Sequence, residues 1–256
     1  MTRDRLYRSE AIVLRRRDFG EADRLLTLLT PNYGKIRAIA KGARKPQSRK
    51  TGHIEPFMRS KLLFARGRNL DLITQAELAD AYRPLRKDLI RVTYANHVVE
   101  LLDRFTAEND AHPALYNLLA EALTWLTETD DLLLAARYYE LRLLGLVGFQ
   151  PQLFHCVHCG AIIQPKDQHF SAELGGVLCP NCQSADRRAQ PILLGALKLL
   201  RYLQTRPYNV VRVLRVRRPL HAQVETIMHT YLQHHLERRL ESVGFLKRLR
   251  REAAEQ

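Results

Sequence analysis

The chain has 256 residues, is 46% hydrophobic, and carries a formal net charge of +14 with a pI near 10.0. This balance excludes an intrinsically disordered chain, and the length allows two small domains or one elaborated domain. There is no apolar run near the roughly 20 residues that cross a bilayer and no apolar signal-peptide core, so we expect a cytoplasmic protein. The surplus of cations predicts a polyanionic partner, either nucleic acid or an anionic membrane surface.

Most of this surplus lies in the first 80 residues, which hold 18 Lys and Arg against 9 Asp and Glu. Residues 81–256 hold 23 against 18. The amino-terminal third is therefore the first candidate for the polyanion-binding region.

Short apolar segments separated by turn residues predict five β-strands between residues 7 and 78. They are YRSEAIVL, RLLTLLT, GKIRAIAK, FMRSKLLFA and LDLITQAEL, with the polar stretch RRRDFGEAD as the first turn. RLLTLLT also fits a helical turn, because short apolar runs do not separate the two. Five such strands in about 70 residues predict a small closed barrel, and the five-stranded OB barrel is the common one that binds oligonucleotides.

Residues 34–50 form the most basic stretch of the chain and contain no acidic residue. In a core-packed strand Ile36, Ala38 and Ala40 would face inward, which predicts a row of cations on the opposite face. Gly42, Pro46 and Ser48 predict that the strand ends in a mobile loop with more cations. The pattern fits a phosphate-tracking surface but fits a solubilising edge strand as well. The candidate nucleic-acid ligands are Lys35, Arg37, Lys41, Arg44, Lys45, Arg49 and Lys50.

Aromatic residues near this stretch could stack on bases. They are Tyr7, Phe19, Tyr33, Phe57 and Phe64. Most are expected in the barrel core, and Phe19 and Tyr33 are the exposed candidates because they fall in predicted turns. A second basic group either extends a nucleic-acid path, binds an acidic peptide, or forms a solvated face; it comprises Arg212, Arg215, Arg217 and Arg218.

After Pro84 the apolar period becomes that of α-helices. Helices are predicted over residues 88–105, from Pro113, and after a cap at Asp130 or Asp131, and these three are expected to form a bundle. Helical pattern resumes at Pro191 and again at Pro219. The charged tail LKRLRREAAEQ either extends the last helix or is disordered.

Residues 154–185 are rich in Cys, His, Gly and Pro and predict an inserted element without a core of its own. Two C-x-x-C pairs separated by 19 residues match the four-cysteine zinc pattern. The predicted ligands are Cys156, Cys159, Cys179 and Cys182. Four thiolates close the zinc tetrahedron, so one structural zinc ion is predicted; local disulfides, a redox motif, or His158 in place of one cysteine are the alternatives.

Catalytic signatures are missing from the sequence, which predicts that the protein is not an enzyme. No P-loop, G-x-G-x-x-G, G-x-S-x-G or H-E-x-x-H occurs. A nucleobase deaminase would need H-x-E, and none of the histidines of the inserted element is followed by Glu at the second position.

The stretch GEADRLLTLLTPNYGKIRAIAKGARKPQS, followed by GHIEPF and LITQAEL, resembles the amino-terminal part of the bacterial RecO recombination-mediator family. The order of barrel, helices, inserted C-x-x-C pairs and returning helices is similar to that family over nearly the full chain. The resemblance implies an α+β multidomain protein: an OB-fold domain (1–80), a helical bundle domain (81–153 and 186–256) and a zinc-binding insertion (154–185).

The resemblance also implies a role in recombinational DNA repair. A RecO-like protein binds single- and double-stranded DNA, anneals complementary strands, and helps RecR load RecA onto DNA coated by single-stranded DNA-binding protein. The carboxy-terminal tail of that coat protein is an implied partner of the basic helical part. RecA is an indirect partner, a membrane is not a partner, and the implied location is the cytoplasm at the nucleoid. The implied DNA ligands are Lys35, Arg37, Lys41, Arg44 and Lys45.

Three other functions remain open from the sequence. An OB-fold RNA-binding protein of translation or RNA maturation would share the charge and the barrel. A non-catalytic adaptor would bind acidic protein tails and only weakly naked DNA. A zinc hydrolase or deaminase would lose turnover on metal removal.

Overall fold

A computed structural model describes residues 5–236 and 240–254 of the chain. The chain falls into two compact units, Met1–Glu128 with Phe245–Gln256 and Thr129–Gly244. None of the described helices is long and apolar enough to span a membrane.

The first unit contains a closed five-stranded barrel. Its strands are β1 (Leu6–Phe19), β2 (Asp23–Thr30), β3 (Gly34–Ala40), β4 (Arg59–Ala65) and β5 (Asp71–Asp80), in the spatial order β1-β2-β3-β5-β4. Only the β3–β5 pair is parallel. The predicted OB-type barrel is therefore confirmed.

Alternation of apolar and polar residues builds the barrel core, as the sequence predicted for β3. The core contains Ala11, Val13, Leu26, Leu28, Ile36, Ala38, Ala40, Leu62, Phe64 and Ile73. RLLTLLT is a strand and not a helical turn. The core residues occupy every second position of each strand, although Ile12, Leu14, Leu25 and Leu29 on the opposite face of β1 and β2 are buried as well.

The first predicted turn was wrong, because β1 continues through the arginine-rich residues 15–17 to Phe19. These residues pair with β2, with Arg17 opposite Leu25 and Phe19 opposite Asp23. The turn is left with residues 20–22, where Gly20 adopts a φ of 56°. Period-2 patterning misses this extension because neither face of the strand end is buried.

Three helices complete the described fold of the first unit up to Glu128: α1 (Arg83–Lys87), α2 (Leu89–Phe105) and α3 (Pro113–Glu128). Asp88 caps α2, accepting hydrogen bonds from the N–H groups of Ile90 (2.8 Å) and Arg91 (3.2 Å). Pro113 occupies the first helical position of α3, as predicted.

The second unit holds a further helical group and a small sheet. Its elements are α4 (Leu132–Leu146), β6 (Gln168–Ser171), β7 (Gly176–Leu178), β8 (Gln190–Ile192), α5 (Leu194–Thr205), α6 (Tyr208–Val211) and α7 (Arg218–Leu236). Helix α4 packs against α5 and α7. The helix predicted from Pro191 begins only at Leu194, because residues 190–192 pair with β6 as a sheet strand.

Helix α8 (Glu241–Ala254) contains most of the charged tail, so the disordered interpretation of that tail is wrong over residues 246–254. Residues 255 and 256 lie outside the described residues. The grouping of residues 81–153 and 186–256 into one domain stays a prediction.

Candidate nucleic-acid surface and metal centre

Lys35 does not face solvent, contrary to the predicted row of cations. Its side chain is only 10% exposed, and Nζ lies 2.9 Å from Asp103 Oδ1 and donates to the Asp103 carbonyl oxygen at 2.6 Å. Asp103 belongs to the last turn of α2, which approaches the barrel at this point. The expectation failed because the covering carboxylate comes from 68 residues further along the chain.

Arg37 does face outward, but it forms an ion pair. Its Nε lies 2.9 Å from Glu108 Oε1, and the two side chains are 47% and 46% exposed. Glu108 belongs to residues 106–110, which follow α2 and are named the strap here. The first two candidate cations of β3 are therefore both engaged by acidic residues.

The remaining five candidate cations lie in residues 41–50, named the basic loop here. Lys41, Arg44, Lys45 and Arg49 are exposed, while Lys50 is half-buried and donates to the Ile73 carbonyl oxygen at 3.2 Å. The charges of the basic loop are therefore more accessible than those of Lys35 and Arg37 on β3.

Several bonds attach the basic loop to the barrel, so it is not the loose segment expected from its composition. The Arg44 N–H donates to the Ala22 carbonyl oxygen at 2.9 Å, and the Gly42 N–H donates to Asp23 Oδ1 at 2.7 Å. Ala43 is buried in the core. The cations are therefore presented on a backbone of defined shape.

A cleft of about 540 Å³ opens on this loop. Four of the cations line it, with Gly42, Pro46, Gln47, Ser48 and Thr74 beside them, and the lining contains no carboxylate among the described residues. They are Lys41, Lys45, Arg49 and Lys50. A concave site lined by one sign of charge concentrates its field and attracts phosphate groups.

The β1–β2 turn lies next to the basic loop and contributes further residues to the candidate nucleic-acid surface. The sequence analysis placed these residues in a turn and assigned them no role. Arg44 Nε lies 3.4 Å from Asp18 Oδ2 and its guanidinium donates to the Glu21 carbonyl oxygen at 3.2 Å. Arg17 is exposed and forms no ion pair with the described residues. The run of three arginines at residues 15–17 was the sequence signal that could have assigned this turn to the basic surface.

The aromatic candidates are buried or exposed largely as predicted. Phe57 and Phe64 are buried, and Phe19 is 43% exposed at the β1–β2 turn. Tyr33 was expected to be exposed but is partly buried, with its ring 4.6 Å from that of Tyr7. Phe19 is therefore the better placed of the two turn candidates for stacking on a base.

The second basic group lies in an irregular segment between α6 and α7 and at the start of α7. Its four arginines, Arg212, Arg215, Arg217 and Arg218, are all exposed, and Val213 between them is 70% exposed. The alternation with apolar residues therefore does not form a packed strand. A role in nucleic-acid binding stays a prediction for this group.

The four cysteines come together at one point of the second unit. Their sulfur atoms all lie within 4.8 Å of one another, and the Cys159 and Cys179 sulfurs are 3.9 Å apart. Sulfurs around a tetrahedral zinc ion, each about 2.3 Å from the metal, are about 3.8 Å apart. A disulfide needs about 2.05 Å, so the geometry fits one metal ion and not two disulfides.

Two tight turns bring the sulfurs together. The Gly160 N–H donates to the Cys156 carbonyl oxygen at 2.9 Å, with Gly160 at a φ of 73°, and the Cys182 N–H donates to the Cys179 carbonyl oxygen at 2.9 Å. The two C-x-x-C pairs flank the β6–β7 hairpin, so the sheet sets the distance between them. No histidine belongs to this cluster in the described part of the chain, which disfavours His158 as a ligand.

The electrostatics of the cluster suit a cation. Burial alone would raise the pKa of the Cys156 thiol, but hydrogen bonds from the backbone N–H groups of Cys159, Cys179 and His158 outweigh it and lower the pKa to about 6. The hydrogen bond to the Cys179 sulfur raises the pKa of Cys182 to about 12. Neighbouring thiolates repel one another, and a bound dication would remove that repulsion.

Comparisons with known proteins cover both units. The family model described as recombination protein O N terminal matches residues 1–82, and the one described as recombination protein O C terminal matches residues 86–243. The chain is 44% identical to the DNA repair protein RecO of Roseiflexus sp. (strain RS-1), over 97% of this chain and 87% of the relative. It is 40% identical to the protein of that name from Pelotomaculum thermopropionicum, over 95% of this chain and 94% of the relative.

A third relative, the DNA repair protein RecO of Desulforudis audaxviator, is 41% identical over 95% of this chain and 97% of its own length. The matches thus include the barrel, the helices and the cysteine element. Since both family models match and these relatives align over nearly their whole lengths, the chain belongs to the RecO family of DNA repair proteins.

Proposed function

We propose that this protein is a recombination mediator that binds single- and double-stranded DNA on the basic loop and anneals complementary strands. The observation that carries the proposal is the cleft lined by four cations and no described carboxylate, on an OB-type barrel. Membership of a DNA repair family supports DNA over other polyanions.

The mechanism needs no covalent chemistry. Lys41, Lys45, Arg49 and Lys50 would neutralise phosphates and release their counterions. Two complementary strands held on neutralised phosphates repel each other less, which favours pairing. Contacts of this kind are made to the DNA backbone and not to the bases, so we expect little preference for DNA sequence.

The contacts of the seven candidate cations indicate that they would have different roles. Arg44 is bonded to the β1–β2 turn and would position the loop as well as add charge. Lys35 would serve as an anchor between β3 and α2, because its ammonium group is buried against Asp103. Of the cleft cations, Lys41, Lys45 and Arg49 are exposed and would meet DNA first, whereas Lys50 is half-buried and donates to the Ile73 carbonyl oxygen.

We further infer that Cys156, Cys159, Cys179 and Cys182 hold one zinc ion that shapes the inserted element. Four sulfur ligands leave no position for a reacting water, so the ion would act structurally and the protein would work by binding and not by turnover. The partner roles of RecR, the tail of single-stranded DNA-binding protein and, indirectly, RecA, and a location at the nucleoid, are parts of the same proposal that family membership supports.

The direct test measures binding of single-stranded DNA across a salt series. A loop variant, Lys41→Ala with Lys45→Ala and Arg49→Ala, is compared with a control that loses three exposed lysines elsewhere, Lys87→Ala with Lys166→Ala and Lys198→Ala. Each lost phosphate contact should reduce the slope of log K against log salt by about 0.7, so the loop variant should lose about 2.

The control variant should keep the slope of the unmodified protein. Equal loss in both variants would mean that net charge and not the cleft drives binding. Competition with RNA of the same sequence tests the RNA-binding alternative, since preference for RNA would require recognition of the 2′-OH. Failure to bind naked DNA at low salt would favour the adaptor of acidic protein tails.

A further inference from the structure

We infer that Glu108 competes with nucleic acid for Arg37, so that the strap limits how many phosphates the barrel engages. This inference rests on the proposed function. Glu108 is a carboxylate held 2.9 Å from an outward-facing guanidinium, the geometry that a bound phosphate oxygen would adopt.

The ion pair is placed where it can open. Both side chains are nearly half exposed, so water and a competing phosphate can reach the contact. Exposed pairs of this kind contribute little net free energy, and a polyanion can therefore displace the carboxylate. The neighbouring Lys35–Asp103 pair cannot open in the same way, because its side chains are only 10% and 13% exposed.

Backbone contacts hold the strap at the start of β3. The Asn109 N–H donates to the Lys35 carbonyl oxygen at 2.9 Å. Gly34 approaches the strap so closely that a Cβ added there would lie 2.0 Å from the Asp110 carbonyl oxygen. The Glu108 carboxylate is therefore held beside Arg37 by the fold, and not only by its own flexible side chain.

Arg37 lies on β3, the strand that leads into the basic loop. Residues 37 and 39 share the outward face of β3, Lys41 directly follows the strand end at Ala40, and four residues of extended chain span roughly 13 Å. Arg37 would therefore extend the phosphate path that begins at Lys41. While Glu108 is paired with Arg37, the phosphate path lacks the contact that Arg37 would make.

The test is the substitution Glu108→Gln, which keeps the shape of the side chain and removes its charge. Freed from its ion pair, Arg37 should take up one more phosphate. We expect single-stranded DNA to bind about two- to five-fold more tightly at low salt. The slope of log K against log salt should become steeper by about 0.7.

Two further variants separate release of Arg37 from a general change in charge. Glu121→Gln removes an exposed carboxylate from α3 and should leave affinity and slope unchanged. In an Arg37→Ala background, Glu108→Gln should no longer raise affinity, which a double-mutant cycle measures directly. Thermal unfolding of each variant checks that the fold is intact.

The outcomes distinguish this inference from the proposed function. If the loop variant binds DNA as well as the unmodified protein, the proposed function fails. If the loop variant is weakened but Glu108→Gln binds like the unmodified protein, or if its gain persists without Arg37, the competition by Glu108 is overturned and the proposed function stands.

Discussion

Lys35 shows how the surroundings of a single residue change its assignment. It lies in the most basic stretch of the chain, yet its ammonium group is buried and neutralised by Asp103, which also lies 2.8 Å from Arg15 Nε. A buried, paired lysine contributes to stability, and its loss leaves a carboxylate with fewer partners.

Lys35→Ala is therefore expected to lower the free energy of unfolding of the barrel by about 2 kcal/mol, because Arg15 still compensates part of the Asp103 charge. Native-state hydrogen exchange of barrel amides measures this loss. Lys61→Ala, an exposed lysine on β4, is the control and should change stability by less than about 0.5 kcal/mol. Equal stability of the two variants would show that the buried pair does not stabilise the barrel.

Asp131 is a second residue whose role the structure makes specific. Its Oδ1 accepts from the Leu134 N–H at 2.9 Å, and its Oδ2 lies 3.1 Å from His221 Nε2. Burial alone would raise the pKa of this carboxyl, but the hydrogen bonds from His221 and Leu134 outweigh it and hold the pKa below its usual range. Of the two aspartates predicted as the cap of α4, Asp131 is the one that caps.

Asp131→Ala should weaken the first turn of α4 by about 1 kcal/mol near neutral pH, since the orphan N–H groups lose their acceptor. Because the pKa is lowered on folding, this contribution is present above the ordinary pKa of 3.8 and is lost as pH falls through the folded value. Hydrogen exchange of the first α4 amides, corrected for intrinsic rates, measures the difference at each pH.

The neighbouring substitution Asp130→Ala is the matched control, because Asp130 is exposed and does not cap the helix. It should leave the exchange of the same amides unchanged. A difference between Asp131→Ala and the unmodified protein that stays constant down to pH 2 would contradict the assigned role of the ionised carboxylate.

At the scale of elements, the cysteine cluster is expected to hold its small sheet through the metal. The sheet has only three short strands, of four, three and three residues, which bury little apolar surface on their own. Removal of the proposed zinc ion by a chelator, or Cys159→Ser, should therefore abolish exchange protection of the β6–β7 amides while the barrel amides keep theirs.

Metal analysis of the purified protein accompanies this experiment and should find one zinc ion per chain. The loop variant provides the control, because its substitutions lie on the barrel and should not change metal content. Full protection of the β6–β7 amides in metal-free protein would contradict a structural role for the ion.

Sequence pattern predicted these elements to different degrees for physical reasons. The barrel strands could be predicted because burial imposes a local spacing, as in Ile36, Ala38 and Ala40. The cysteine pairs could be predicted because metal ligation also imposes a local spacing. The burial of Lys35 could not be predicted from the sequence, because it depends on Asp103 in a helix that lies 68 residues further along the chain. The start of α5 was misplaced for a similar reason: residues 190–192 are drawn into pairing with β6.

At the scale of the whole molecule, the charge surplus is concentrated where the candidate surface lies. The first 80 residues have twice as many basic as acidic residues, and the cleft on residues 41–50 has no described carboxylate in its lining. Strand pairing within the barrel and the bonds of the basic loop fix where these cations stand. We propose that this surface brings complementary strands together.

The rate at which complementary single strands anneal in the presence of the protein tests this role of the surface. The unmodified protein should accelerate annealing at low salt, and the gain should fall as salt rises. The loop variant with Lys41, Lys45 and Arg49 replaced by alanine should lose most of the gain, while the control variant at Lys87, Lys166 and Lys198 should retain it. Equal annealing rates with the loop variant and the unmodified protein would rule out the basic loop as the surface that pairs the strands.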